Sequence, residues 1–450
     1  MRSGALAHLA CLFAGLALLA RPTPARANGA FPASDAVLLP ADHPLQIALA
    51  TNFGLIISDD GGTSWQWTCE RPETSMAAFY SIGAPPGDRL YARSDAGLAM
   101  SDDVSCSWHL AGGALATALV SDYFPDPTDA THVLAIAGPR SDGGVVGADS
   151  VFESVDGGDT FAATPLFVAP SGDQLLGVEI ARADPRVIYL ALAAPGPQPL
   201  IARSDDGGAQ WMTFDAGADL GAASARIIAV DPADAHVVYL RVSAAGVERL
   251  AVSRDGGMTF ATPVALPGGT LSAFARLASG TVLVAGLVPS DGGTTVGVGW
   301  RSTDGGTTFG DWTLTPAPRL YALAERGGSL YLAGDNYLDG WALAVSNDEG
   351  RTVQPIARYN QVSAVKACAV AACQDSCDEQ AGRRVWGPDV CNPSARDGGT
   401  DAGPPAKPSS GCGCSAAGAR GDLALAALCI AIVTALGSAA RRRRRGRSRS

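Results

Sequence analysis

Apolar and polar positions alternate along most of this chain in short runs, each closed by a turn signal. Residues 226–230, 237–242, 247–253 and 259–264 are four such runs, separated by Asp231-Pro232, a second turn and a Ser-x-Asp-x-Gly-x-Thr-Phe stretch. Alternation over four to eight residues between Gly, Pro, Asp and Asn clusters predicts β-strands. The strand-then-turn grammar recurs at Asp126-Pro127, Asp184-Pro185 and, loosely, Pro40-Ala41-Asp42.

The separator itself repeats. Ser58-Asp59-Asp60-Gly61-Gly62-Thr63-Ser64-Trp65 returns around Asp156, Asp206, Asp255 and Asp304 with both glycines in place. Two copies are worn: the one around Asp103 lacks the glycine pair, and the one around Asp348 lacks the aromatic. Successive serines (58, 101, 154, 204, 253, 302, 346) lie 43 to 53 residues apart. Four strands per period, repeated seven times, predict an all-β seven-bladed β-propeller over residues 31–366. Serine and aspartate side chains can hold the backbone amides of a tight turn while glycines take positive φ. These aspartates (Asp60, Asp103, Asp156, Asp206, Asp255, Asp304, Asp348) are therefore expected to be structural. The pattern resembles the Asp-box, or BNR, repeat, which implies a sialidase-like propeller fold with hairpins stapled at each box. Ring closure has two candidate forms, a direct meeting of the first and last blades or a swapped closing strand within residues 361–366.

The ends break the pattern. Residues 1–27 carry Arg2, an apolar run over 9–20 and Ala25-Arg26-Ala27, the form of a cleaved secretory signal. At the other end a linker (392–410) leads to Gly411-Cys412-Gly413-Cys414-Ser415, an uncharged stretch over 423–440, and an arginine run with seven arginines after residue 440. Eighteen residues suffice for one membrane-spanning helix, and the arginines would stay cytoplasmic. The three parts in this order resemble the MYXO-CTERM sorting tag of myxobacterial surface proteins. That resemblance implies processing by a membrane sorting protease, lipid modification at Cys412 or Cys414, and a cell-surface destination.

Export changes the reading of the cysteines. Six lie between signal and tag: Cys69, Cys106, Cys368, Cys373, Cys377 and Cys391. An even number outside the cytoplasm favours disulfides. Cys69 and Cys106 are expected to bridge blades one and two, and the last four to close a small knot of their own over residues 367–391. Zinc is disfavoured because the spacing lacks paired C-x2-C knuckles.

Charge then excludes one partner class. Residues 28–419 hold 22 basic and 43 acidic residues, a balance that repels phosphate backbones and excludes nucleic acid. Glycine and proline number 54 and 29, and apolar residues make up 47% of the chain, consistent with a turn-rich folded protein. No catalytic motif emerges. The Arg-Ile-Pro signature of sialidases is missing, and no phosphate-binding glycine loop leads into a helix. His132 and His236, with His43 nearly so, share one place after the turn, which marks a structural position. Tyr80, Tyr189, Tyr239 and Tyr321 sit inside strand patterns, and residues 335–340 read as a hairpin turn. Longer loops over 138–150 and 288–299 mark the end of the blades opposite the repeated turn, where propeller loops carry function. The expected function is a surface-anchored binding or scaffold module for a glycan or protein ligand, without cofactor or metal. The alternative is a secreted glycoside hydrolase using two carboxylates.

Overall fold

In the strand Val238–Ala244, Val238, Leu240 and Val242 project to one side and Tyr239 to the other, and all four are buried. The two sides feed different cores: Val238, Leu240 and Val242 pack toward blade four, whereas Tyr239 packs with Val252 and Val284 toward blade six. A sheet covered on both faces reads as near-continuous burial, and this chain repeats that arrangement until it closes.

The structure is a computed structural model. It describes residues 32–392, apart from residues 72–78, 142–143, 146–148, 197, 292 and 315–316. The expected signal segment 1–27, the span 423–440, Cys412 and Cys414 lie outside the described residues. Among the described residues, no helix is long and apolar enough to cross a membrane.

The architecture is an all-β seven-bladed propeller with three disulfides. Each blade is an antiparallel meander of four strands, numbered outward from the central channel. The inner strands are Ser34–Leu38, Phe79–Ile82, Ala118–Pro125, Gln174–Ile180, Ser224–Val230, Thr270–Arg276 and Leu320–Arg326. Six of these seven carry a one-residue register shift against the second strand; Phe79–Ile82 shows none. Bulges bend a strand and re-aim the extra side chain. Here the displaced residues are Asp35, Ser121, Leu176, Ile228, Ser272 and Tyr321.

The loop expected over 288–299 is mostly ladder: Val282–Pro289 pairs with Thr295–Ser302 as far as Pro289 opposite Thr295. In blade three the ladder likewise extends to Ser141 opposite Gly144. The outer strands differ more. Blade five ends in the seven-residue Ala261–Pro267, whereas blade six ends in the two-residue Gly310–Asp311.

Closure combines the two expected forms. Blades one and seven each own four strands and share a core containing Ile47, Leu49, Ala333 and Leu343. Arg326 of blade seven donates from one guanidinium nitrogen to the carbonyls of Pro40, His43 and Gln46 in blade one. The closing segment Val362–Val365 replaces no missing strand. It adds a fifth, parallel to Trp65–Thr68 on the outer edge of blade one. The helix Val370–Gly382 follows, and Trp386 packs against Trp67 and Phe53 at centroid distances of 5.0 and 6.0 Å.

The cysteine pairing corrects the sequence expectation. Cys69 bonds Cys373, Cys106 bonds Cys368, and only Cys377–Cys391 closes inside the C-terminal segment. The parallel strand is the physical reason. It ends beside Thr68, with the Lys366 N–H donating to Trp67 O at 2.8 Å. The hydroxyls of Thr68 and Ser105 lie 2.6 Å apart, so Cys69 and Cys106 sit where residues 368–373 begin. The C-terminal segment is thus a clasp across blades one and two, not a separate knot.

Candidate functional site: a groove between blades six and seven

The repeated aspartates are engaged in structure. In blade one the Ser58 hydroxyl donates to Asp60 Oδ1 at 2.8 Å and accepts the Gly62 N–H at 2.8 Å. Asp60 also accepts the Ser64 N–H at 2.9 Å and the Ser64 hydroxyl at 2.6 Å. The serine-to-aspartate and amide-to-serine bonds recur at Asp103, Asp156, Asp206, Asp255, Asp304 and Asp348. Hydrogen bonding from Ser64, then Ser58, lowers the Asp60 carboxyl to about 2. The Thr352 amide and the Ser346 hydroxyl do the same at Asp348, also to about 2. Carboxylates held ionised by their own turns are poor proton donors.

The histidines are likewise paired. His132 lies between Asp126 and Glu153, 3.0 Å from each, and the Asp126 bond raises its pKa. His43 faces Asp88, His109 faces Asp159 and His236 faces Asp234. Tyr189 and Tyr239 are fully buried; their hydroxyls donate to Ala235 O at 2.7 Å and Gly305 O at 3.0 Å in the following blade. Tyr321 donates to Asp335 at 3.1 Å. In the 335–340 turn, Asp335 caps the amides of Tyr337 and Leu338, and Asp339 pairs with Arg319 at 2.7 Å.

The inner strands bring together acids that no motif announced. Burial raises the Asp122 carboxyl on blade three, although it accepts the Val178 N–H at 3.0 Å. Next to it on blade four, Glu179 is pushed well above the usual carboxylate range by burial, with Asp122 adding. On blade one, burial and then Glu70 bring Asp35 up to about 6. Among the described residues no group of His, Cys, Asp and Glu has the arrangement of a metal site.

An open cavity lies elsewhere, and the short outer strand of blade six makes it. The ladder pairs Trp300 with Asp311 and Arg301 with Gly310, then stops. The chain turns inward as Trp312, whose amide donates to Gly299 O at 2.9 Å and whose indole donates to Gly350 O of blade seven at 2.9 Å. Glycine at 297 and 299 permits this crossing. A Cβ at Gly297 would meet Pro318 O at 1.9 Å, and one at Gly299 would meet Trp312 O at 2.9 Å.

What remains is a two-lobed groove. One lobe, about 310 Å³, is lined by Trp300, Asp311, Thr313 and Pro318. The other, about 570 Å³, is lined by Pro318, Arg319, Leu338, Trp341 and Arg351. Both fall within the range of small-molecule sites, roughly 300–1,000 Å³. Trp300 is half-buried, whereas Asp311 and Arg351 are exposed and have no ion-pair partner among the described residues. Sequence reasoning missed these residues. The available signals were Gly297-x-Gly299 inside a strand and the weak strand pattern after the turn at Asp304.

No protein-family model matches the chain, and no curated protein matches it. Solved structures do resemble it. A puromycin-hydrolyzing peptidase from Mycobacterium tuberculosis aligns at 14% identity with TM-score 0.51, covering 75% of this chain and 55% of that one. A puromycin hydrolase aligns at 12% identity with TM-score 0.50, covering 73% and 54%. The GH74 xyloglucanase of Xanthomonas campestris aligns at 20% identity with TM-score 0.45, covering 62% and 47%. The chain spans about half the length of these structures, and at such identities the likeness extends to the propeller fold alone.

Proposed function

We propose that this protein is an exported propeller whose role is to bind a glycan or protein ligand at the cell surface, and that its seven repeated turns are Asp boxes. The observation that carries this reading is the groove between blades six and seven. It is an open cavity of two lobes that meet at Pro318. Three disulfides among the six cysteines before the linker support export to an oxidising compartment. In the same proposal a sorting protease removes the arginine-rich tail, and Cys412 or Cys414 carries the lipid anchor. A glycan array and a pull-down from cell envelopes with the exported chain test the binding role. Retention of a ligand is expected; no retained ligand together with turnover of a polysaccharide would overturn it. Replacing Cys412 and Cys414 with serine should leave the C-terminal peptide intact by mass spectrometry. Finding residues 441–450 on wild-type surface protein would overturn the sorting step.

A second reading, a glycoside hydrolase, is favoured by one observation. The Asp122–Glu179 pair holds a raised carboxyl beside another carboxyl, as an acid catalyst requires. Release of reducing ends from a polysaccharide that is lost in Glu179→Gln would establish it. Equal release by Glu179→Gln and the parent chain would remove it.

A further inference from the structure

We infer that the Cys106–Cys368 disulfide is a redox-responsive latch, the one bond of the three that a dithiol opens in the folded protein. Opening it loosens the repeated turn of blade two while the ring stays closed. This site of modification is independent of the ligand and goes beyond the binding role.

The three bonds differ in how they meet solvent. Cys69, Cys373, Cys377 and Cys391 are each at most 5% exposed. Cys106 is half-buried, and Cys368 is exposed in the short turn Ala367–Ala369 ahead of the clasp helix. Access of a thiolate to one sulfur decides which disulfide exchanges. The reagent's thiolate attacks the exposed Cys368 sulfur, the sulfur–sulfur bond breaks, and Cys106 leaves as a thiolate that takes up a proton. The second thiol of the reagent then displaces Cys368, which is protonated in turn, and closes the reagent's own disulfide. Two electrons and two protons have passed to the cysteine pair.

What the bond holds is a strained turn. Cys106 follows Val104 and Ser105, which stand at φ 56° and 66° where the intact copies carry glycine. Left-handed backbone is unfavourable for any residue with a Cβ, and most of all for a β-branched one. The turn also lies on a seam, since the Ser105 hydroxyl meets that of Thr68 in blade one at 2.6 Å. Opening the bond frees Val104 to leave the left-handed region, at the expense of the Ser105 amide bond to Ser101 at 2.9 Å. The rest stays in place. Cys69–Cys373 still ties the clasp to blade one, and Asp103 still accepts the Ser107 amide and hydroxyl at 2.8 and 2.6 Å. The latch therefore separates two folded states, a locked turn and a relaxed one. A bond that served only as a staple has no use for an exposed sulfur, and the same segment supplies a buried staple at Cys373.

The test treats the full exported chain with dithiothreitol in the absence of denaturant, followed by alkylation with N-ethylmaleimide and peptide mapping over time. Cys106 and Cys368 should label together, at least tenfold faster than the other four cysteines, with the far-UV circular dichroism unchanged. In that reduced form the Ser105 amide should exchange with deuterium tenfold or more faster. The Gly257 amide, its counterpart in blade five, should keep its rate. Val104→Gly should shift the equilibrium with dithiothreitol toward the closed bond by about fivefold, because its turn has less to relieve. Reduction of all three bonds at one rate would overturn the selective latch. Selective reduction with unchanged exchange at Ser105 would overturn the switch, since the bond would then move nothing. An unchanged equilibrium in Val104→Gly would overturn the coupling of bond to turn.

Discussion

In blade five the repeated turn passes through Gly256 and Gly257 at φ 74° and 88°, whereas blade two makes the same passage with Val104 and Ser105 at φ 56° and 66°. The left-handed region costs a residue with a Cβ roughly 1–2 kcal/mol, yet the surrounding hydrogen bonds are the same. Ser253 donates to Asp255 at 2.8 Å and accepts the Gly257 amide at 2.8 Å; Ser101 and Asp103 reproduce both bonds at 2.9 Å. The serine–aspartate network therefore defines the turn, and glycine only makes it easier. The two blades differ in what holds the turn from outside. Blade five receives Ile201 against Gly257, where a Cβ would meet the Ile201 methyl at 2.9 Å. Blade two has the Thr68 hydroxyl against Ser105 and, one residue on, the Cys106–Cys368 disulfide.

Removing that disulfide should have the largest effect. Cys106→Ser with Cys368→Ser leaves Cys69–Cys373 in place, so the loop it opens is the circuit of roughly 40 residues through that bond, and chain-entropy reasoning gives a loss of about 4 kcal/mol. Removing Cys377–Cys391, which spans 14 residues, should cost about 3 kcal/mol. Urea unfolding without reductant measures both; equal losses would mean that the longer loop adds nothing. Next in size is the buried serine. Ser253→Ala orphans the Gly257 amide in a buried position, a loss of about 1–3 kcal/mol. Ser101→Ala should cost less, because the disulfide still holds its turn. If the two serines prove equal, the clasp does not compensate for the worn turn. A smaller effect of opposite sign is expected for Val104→Gly, a gain of about 1 kcal/mol from relief of the left-handed backbone.

The smallest effects are those of pH. Asp60 and Asp348 titrate at about 2 in the folded chain, below an ordinary aspartate near 3.9. Their contribution is complete above that ordinary value and is lost as pH falls toward 2. His132 works in the other direction. Its pKa is raised by Asp126, so its contribution is complete below about pH 6.5 and is lost as pH rises through the folded value. Unfolding midpoints of Asp60→Asn and His132→Gln against pH should flatten the acid and the near-neutral limbs respectively. A parent-like profile in either variant would remove that assignment.

The same contrast shows what the sequence made legible. Repetition made the blades readable: in blade five the third strand, Val247–Ser253, lies where the pattern put it, and the fourth begins two residues later than expected, at Ala261. Interactions that occur once were not readable. The partner of Cys69 depends on a parallel strand arriving from 300 residues away, and four cysteines within 24 residues looked self-sufficient. The groove escaped for a related reason. It exists because Gly310–Asp311 stops short and the chain crosses over Gly297 and Gly299, a local departure from the repeat that carries no motif. Asp122 and Glu179 are neighbours only because adjacent inner strands converge on the channel.

The clasp also sets how the molecule bears a pull. Tension applied beyond Cys391 reaches the helix Val370–Gly382 through Cys377, and leaves through Cys373 in the helix and through Cys368 in the turn just before it. It enters the ring at Cys69 and Cys106, at two neighbouring blades simultaneously. Blade seven, which would otherwise peel away strand by strand from its free end, is bypassed by covalent bonds. A tether on this side therefore loads the propeller as a closed hoop, and the force needed to open it is set by sulfur–sulfur bonds instead of by the hydrogen bonds of a single edge strand.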